Sequence, residues 1–223
     1  MRVSIVGWVA VLVVAACGGK GGEPAAGGGG GASGGAPAAG GAGFTKESAQ
    51  AVVDGVALGE GWEAGLKKAD PDGFVLSWRG PKNDRGAAPN VMASGLGCMM
   101  GMCPEMSVDK WKANTDNLKM KLSEGLKNAP DLVFEVGETT VEGKKAITVY
   151  ALGYVEKTDD TGTSRMSTHA FDLYWHDGAK LVTVMTSAGS TGATSLDDLK
   201  AKLTRDELEA AGKKVLAAIF AKL

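Results

Sequence analysis

The sequence predicts an α+β fold: an antiparallel sheet flanked by helices and preceded by a disordered, glycine-rich tether. Apolar and polar residues alternate over residues 166–176, which predicts a strand because successive side chains of a strand point to opposite faces. Turn residues rather than helices join this segment to its neighbours, which favours antiparallel pairing. Helical periodicity after Ser107 and again after Thr204 predicts the flanking helices.

The sequence of the first part of the domain predicts a short helix, a hairpin and a further strand. Thr45 is placed to cap a helix that ends at Gly55, because a threonine hydroxyl accepts from the free N–H groups of a first turn. Asp70-Pro71-Asp72-Gly73 has the residue types of a tight turn. In chain order we expect strands over residues 62–69 and 74–78, a loop over residues 81–89 and a strand over residues 90–100.

A long helix is predicted next. Ser107 is a suitable N-cap, and Asp109 lies in the first turn, where the helix dipole favours a negative charge. Pro130 ends the pattern, because proline cannot continue a helix. The face predicted to pack on the core consists of Trp111, Thr115, Leu118, Leu122 and Leu126.

The rest of the chain predicts a meander of strands and two closing helices. Strands are expected over residues 132–136, 145–155, 166–176 and 181–186. Asp177-Gly178 is a hairpin signal between the last two strands. Ser195 is expected to open a short helix, and Thr204 with Glu207 predicts a capping box for the last helix. The core face predicted for that helix is Leu208, Gly212, Val215 and Ile219.

This order of elements, with residues 143–150 leading the meander, resembles the PsbP-like fold over roughly residues 60–222. That fold is an α/β/α sandwich, which small bacterial lipoproteins also use. The resemblance implies a domain that binds other proteins or assists their assembly, since few members of the fold are enzymes. A fold by itself does not establish a function.

Residues 1–16 predict a cleaved export signal. An apolar run over residues 3–14 follows Arg2, and it is too short for a spanning helix, which needs about 20 apolar residues. Val14-Ala15-Ala16-Cys17 then resembles the lipobox of bacterial lipoproteins. In that family the signal is cut before the cysteine, the thiol receives a diacylglyceryl group, and the new amino terminus is usually acylated with a fatty acid such as palmitate.

The lipobox resemblance implies lipidation at Cys17 and a membrane anchor, since several acyl chains hold a protein stably. Gly18 stands where an aspartate would favour the inner membrane, so we expect the periplasmic face of the outer membrane. Residues 17–43 are the acylated cysteine and a linker of mostly Gly and Ala, which has too little apolar surface to offset the entropy of ordering. Residues 44–223 are expected to form a single α+β domain in the periplasm.

The charge of the chain excludes one class of partner. The chain carries 24 Lys and Arg against 26 Asp and Glu, and the two signs are interspersed. Nucleic-acid binding normally requires a basic face that neutralises phosphates. We therefore expect no nucleic-acid partner.

The unusual segment is Cys98-Met99-Met100-Gly101-Met102-Cys103, for which three interpretations stay open. In an oxidising periplasm, two cysteines this close usually pair, so a Cys98–Cys103 disulfide is the expected state. Thiolates and thioethers also select Cu(I), so the alternative function is a periplasmic Cu(I)-binding protein whose ligands are Cys98, Met99, Met100, Met102 and Cys103. The third interpretation is a methionine-rich surface that packs on a partner protein.

No catalytic motif stands out in the sequence. His169 and His176 are the two histidines, and their odd separation on one strand places them on opposite faces, which argues against a shared metal. None of the serines lies in a nucleophile elbow or a comparable signature. The sequence thus predicts a membrane-anchored binding or assembly module that is not an enzyme, carries no cofactor beyond its lipid, and has an envelope protein as its partner.

Overall fold

The computed structural model describes residues 44–70, 73–98, 102–125, 132–159, 162–189 and 192–223. These residues form seven strands and four helices. In chain order the elements are α1 (Lys46–Gly55), β1 (Glu63–Asp70), β2 (Gly73–Arg79), β3 (Asn90–Gly97), α2 (Val108–Gly125), β4 (Val133–Val141), β5 (Lys144–Asp159), β6 (Gly162–His176), β7 (Lys180–Ser187), α3 (Leu196–Lys202) and α4 (Arg205–Phe220).

The strands form one open antiparallel sheet in the order β1-β2-β3-β7-β6-β5-β4. This confirms the predicted α+β class and the antiparallel sheet. Two meanders, β1 to β3 and β4 to β7, meet where β3 pairs with β7. The pair is formed by segments far apart in the chain, so it joins the two halves of the domain into one sheet.

Side-chain caps begin all four helices where the sequence predicts them. The Thr45 hydroxyl accepts a hydrogen bond from the N–H of Ser48 (3.1 Å) at the start of α1. The Ser107 hydroxyl accepts a hydrogen bond from the N–H of Lys110 (3.3 Å) at the start of α2. Ser195 accepts from the N–H of Asp198 (3.0 Å) at the start of α3. Thr204 and Glu207 form the predicted capping box of α4, in which each side chain accepts from the main-chain N–H of the other residue. Such caps satisfy N–H groups that have no partner within the helix.

Helices lie on both faces of the sheet. A Cβ on Gly212 of α4 would be 3.1 Å from Leu173 Cδ1, so α4 packs closely on the face to which Leu173 points. Tyr174, the next residue of β6, points to the opposite face, and its ring lies 4.3 Å from the ring of Trp111 in α2. We call these the α4 face and the α2 face.

The larger core lies on the α4 face, between the sheet and helices α1, α3 and α4. Its most fully buried large side chains come from β2, β6 and the last helices. They are Phe74, Leu76, Trp78, Phe171, Leu173, Leu199, Leu208, Leu216 and Ile219. Removing this much apolar surface from water is the main stabilising contribution to the fold.

The meander strands are longer than the sequence predicts. β4 continues to Val141 instead of ending at residue 136, and β5 and β6 pair as far as Asp159 and Gly162. Val141, at the end of the extended β4, is buried in the larger core, and main-chain pairing continues through the added residues of all three strands. Leu126 and Pro130, which belong to the predicted end of the long helix, lie outside the described residues. Within the described ranges, no helix has the length and apolar character needed to cross a bilayer.

Candidate functional site

The two cysteines of the methionine-rich segment are joined by a disulfide, and their Cα atoms are 4.8 Å apart. The segment follows β3, where the N–H of Cys98 donates to the carbonyl oxygen of Ala179 (2.8 Å) in the turn before β7. Met102 points into solvent, with 67% of its surface exposed. Met99, Met100 and the proposed lipidation site Cys17 lie outside the described residues. In this oxidised form the two sulfur atoms are not thiolates, so Cu(I) binding by the segment stays a prediction for the reduced protein.

Asp172 is an ionisable side chain buried on the α2 face of the sheet, with 1% of its surface exposed. The Tyr174 hydroxyl donates a hydrogen bond to its Oδ2 (3.3 Å), and no described residue supplies a partner for Oδ1. Burial raises the pKa of Asp172 from 3.8 to about 8, and the hydrogen bond from Tyr174 opposes part of this rise. The site therefore holds a proton readily at neutral pH, or accepts a positive charge in its place.

A small cavity of about 30 Å³ lies beside Asp172. Its lining includes the side chains of Asn90 and Ser187 and the thioethers of Met92 and Met185. A cavity that holds one water needs about 10–15 Å³ by the same measure, so this one has room for a water molecule or a small ion. The lining also includes His169, Ala170 and Leu199, so polar, sulfur-containing and apolar residues together surround the buried carboxylate.

The sheet register explains how these side chains come together. Met92 of β3 is directly opposite Met185 of β7, and Met185 is in turn opposite Asp172 of β6. Residues directly opposite each other on neighbouring strands have Cβ atoms about 4.5–5.5 Å apart and share a face. The three residues form a single row across three strands, which we call the Met-Met-Asp row.

The two histidines lie apart, on opposite faces of β6. His169 is buried on the α4 face, where its Nε2 is 3.1 Å from the Tyr150 hydroxyl. Burial lowers the pKa of His169 and raises that of Tyr150, over whose ring the Arg205 guanidinium lies at 4.7 Å. His176 Nδ1 accepts from the N–H of Gly178 in the hairpin turn (3.0 Å). His176 thus helps to hold the hairpin turn, whereas the buried Nδ1 of His169 has no hydrogen-bond partner among the described residues, and His169 lines the cavity beside Asp172.

A larger cleft of about 370 Å³ opens beside α4. One wall is the loop after β2, and the other is the first half of α4. The Trp62 ring forms part of the floor, close to Gly80, at which a Cβ would lie 2.9 Å from the ring. The apolar lining residues are Leu58, Trp62, Pro81, Pro89, Val91, Leu203, Leu208, Ala210 and Ala211.

Hydrogen bonds fix the loop wall of the cleft to the end of α3. The Asn83 amide donates to the carbonyl oxygen of Lys202 (2.9 Å), and Arg85 donates to that of Ala201 (3.2 Å). Arg85 also forms an ion pair with Glu207 of α4 (2.5 Å). Because these donors satisfy carbonyl groups at a helix C-terminus, the loop is held in place and the cleft is formed without a ligand.

The sequence signal for the buried carboxylate is weak. Alternation along β6 correctly places Asp172 on the face opposite Leu173, but it gives no measure of how deeply that face is buried. The one available signal is a lone aspartate between Ala170 and Tyr174 on a strand whose neighbours are apolar. The Met92–Met185 pairing depends on strand order, which the sequence pattern does not contain.

No protein-family model matches the chain, and no curated protein is significantly similar to it. Among the described residues, no group of three or more His, Cys, Asp or Glu side chains is arranged to hold a metal ion. Within the described residues, the cleft and the Met-Met-Asp row are the features that bear on function.

Proposed function

We propose that this chain is a bacterial lipoprotein, acylated at Cys17 and held at the periplasmic face of the outer membrane, whose domain acts by binding rather than by catalysis. The lipobox-like residues 14–17 support the anchor. The glycine-rich residues 18–43 support a tether, because a coil of that composition and length spans on the order of 30 Å. The domain would then reach partners at some distance from the lipid surface.

The cleft beside α4 is the observation that carries the binding function. Its volume of about 370 Å³ lies in the range of ligand sites, about 300–1,000 Å³. Trp62 and Arg85 are residue types enriched at the centres of protein interfaces, and here they stand in an apolar surface with a charged rim. We infer that a segment of another envelope protein occupies this cleft.

A PsbP-like fold is a further part of the proposal. A long helix between two groups of antiparallel strands, a C-terminal helix and helices on both faces of the sheet support this assignment. Proteins of that fold mostly bind other proteins or assist their assembly, which agrees with a binding cleft. Superposition on an experimentally determined member would test it: strand order and helix placement should agree throughout the sheet.

The anchor is tested by replacing the proposed lipidation site. Cys17→Ala should abolish labelling by a radioactive fatty acid and leave the precursor unprocessed, because no thiol remains to accept the lipid. Inhibition of the lipoprotein signal peptidase by globomycin should cause the acylated precursor to accumulate. Unchanged processing and membrane fractionation in Cys17→Ala would refute the lipoprotein assignment.

The cleft is tested by site-specific crosslinking in cells. A photoreactive amino acid at Lys214, which lines the cleft, should yield a discrete adduct, whereas one at Lys145, on an exposed hairpin far along the sheet, should not. Ala211→Trp should fill the cleft and abolish the Lys214 adduct, and Ala221→Trp at the exposed end of α4 should leave it intact. Equal adducts from both positions, or an adduct that survives Ala211→Trp, would contradict a specific cleft partner.

A further inference from the structure

The Met-Met-Asp row lies on the α2 face of the sheet. Asn90 and Thr186 line both its cavity and the cleft, but Met92, Met185 and Asp172 do not line the cleft. Met92 and Met185 face the same cavity as Asp172, and both thioether side chains are half-buried, so the cavity is reachable from solvent. Asp172 is almost fully buried and its Oδ1 has no partner among the described residues. A carboxylate buried in this way is costly unless it is neutralised.

No salt bridge to Asp172 is formed within the described part of the chain, and the one hydrogen bond that it receives comes from Tyr174. Neutralisation therefore requires a proton or a cation from solution. A monovalent cation would leave the buried site with no net charge, whereas a divalent ion would leave a positive charge without a second carboxylate. Charge balance thus favours a monovalent ion.

We propose that Met92, Met185 and Asp172 form a binding site for a soft monovalent cation of the Cu(I) or Ag(I) class. Thioether sulfur prefers soft metals, while Na⁺, Mg²⁺ and Ca²⁺ prefer sites built mainly from oxygen. Two thioethers beside a single carboxylate match the soft ions in both ligand type and charge. The side chains of Asn90 and Ser187 line the same cavity and supply polar surface near the carboxylate.

This site is chemically distinct from the Cys98–Cys103 segment. It needs no reduced thiol, so it is available while the disulfide is intact in an oxidising compartment. It also does not depend on the cleft or on the lipid anchor. Failure of either of those proposals therefore leaves the metal proposal standing, and the reverse is equally true.

The test uses Ag(I), which needs no reductant and therefore leaves the disulfide intact. The full chain with Cys17→Ala, purified in detergent, retains only the two bridged cysteines, so no free thiol competes for silver. Isothermal titration in a chloride-free buffer should show saturable binding of one Ag(I) per chain. In the same protein carrying ¹³C-methyl methionine, the methyl resonances of Met92 and Met185 should shift on addition of Ag(I).

Three near-isosteric variants locate the ligands: Met92→Leu, Met185→Leu and Asp172→Asn. Each should weaken Ag(I) binding by more than about tenfold, because even partners that only support a metal ligand are worth about 10–100-fold in affinity. Met102→Leu and Met120→Leu are matched controls, since both thioethers are exposed, and their affinities should equal that of the parent chain. Circular dichroism should show that each variant is folded.

Binding that survives all three replacements, or resonance shifts confined to Met102 and Met120, would overturn the proposal. Absence of any saturable Ag(I) binding in the folded parent chain would also overturn it. If Ag(I) binds only after the disulfide is reduced, and Cys98→Ser with Cys103→Ser abolishes that binding, the cysteine segment is the metal site and the Met-Met-Asp row is not. The methionine resonances are measured in a chain that keeps Met92, Met185 and Asp172. The outcome of the resonance experiment therefore does not depend on whether any variant of these residues folds.

Discussion

The Tyr174 hydroxyl donates a hydrogen bond to Oδ2 of Asp172 (3.3 Å). Both side chains are buried, and both point to the same face of β6. Burial raises the pKa of each side chain, that of Tyr174 well above its ordinary value. The tyrosine therefore stays protonated and remains a donor at any pH at which the protein is studied. Asp172 is therefore the member of the pair whose charge changes with pH.

Stability should fall with rising pH because of Asp172. Its pKa is 3.8 ordinarily and about 8 in the fold, so between these values the folded chain holds a proton that the unfolded chain has lost. The contribution of the protonated carboxyl to the free energy of unfolding is fully present below about pH 4, and it is lost as the pH rises towards 8. The largest slope for one proton is about 1.4 kcal/mol per pH unit.

Asp172→Asn is the variant that isolates this contribution. Urea unfolding between pH 5 and pH 8 should give a free energy of unfolding that falls with pH more steeply in the parent than in the variant. His169 has a lowered pKa and acts in the opposite sense, so the difference between the two proteins is the informative quantity. Identical pH profiles would show that Asp172 ionises normally in the fold.

Gly95→Ala should destabilise the sheet strongly. A Cβ at this position would overlap the ring of Phe74, which is directly opposite on β2 and fully buried. Overpacking of this kind costs about 1–3 kcal/mol. Gly97→Ala, two residues along β3, meets open space and should change stability by less than about 0.5 kcal/mol. Equal free energies of unfolding for the two variants would contradict the close packing of Phe74.

Removing the disulfide should lower stability modestly. The loop that it closes spans six positions, from Cys98 to Cys103, and the chain-entropy argument then gives about 2 kcal/mol. Cys98→Ser with Cys103→Ser, in the Cys17→Ala background, should reduce the free energy of unfolding in urea by that amount. The Cys17→Ala chain treated with a thiol reductant should match the double variant. A parent whose stability is unaffected by reductant would show that the bond is absent in solution.

Trp111→Ala should detach α2 from the sheet. The Trp111 ring packs on Tyr174 at 4.3 Å, and its Nε1 donates to the carbonyl oxygen of Glu105 (3.0 Å). Replacing a buried tryptophan by alanine costs about 3–5 kcal/mol. Met120→Ala removes an exposed side chain from the same helix and should have little effect. Thermal unfolding followed by circular dichroism would distinguish the two, and similar midpoints would contradict the packing of α2 on the sheet.

The local elements could be predicted from sequence because their causes lie within a few residues. Thr204 and Glu207 cap α4 through hydrogen bonds that span three positions. The Asp177 carboxylate accepts from the N–H groups of Ala179 and Lys180 (2.8 and 2.7 Å), which stabilises the turn between β6 and β7. Alternation over residues 167–176 correctly assigned each side chain to one face or the other. Helix starts, hairpins and the antiparallel class all follow from contacts of this range.

Strand order, depth of burial and the cleft were decided only by the tertiary structure. Alternation indicates which face of the sheet a side chain occupies, but it does not indicate which strand lies next to its own strand. The pairing of β3 with β7, and with it the Met92–Met185–Asp172 row, therefore could not be predicted from the sequence. The contact between Arg85 and Glu207 likewise joins residues 122 positions apart. Such contacts form because the whole chain buries its apolar surface together, and no short segment of the sequence records that result.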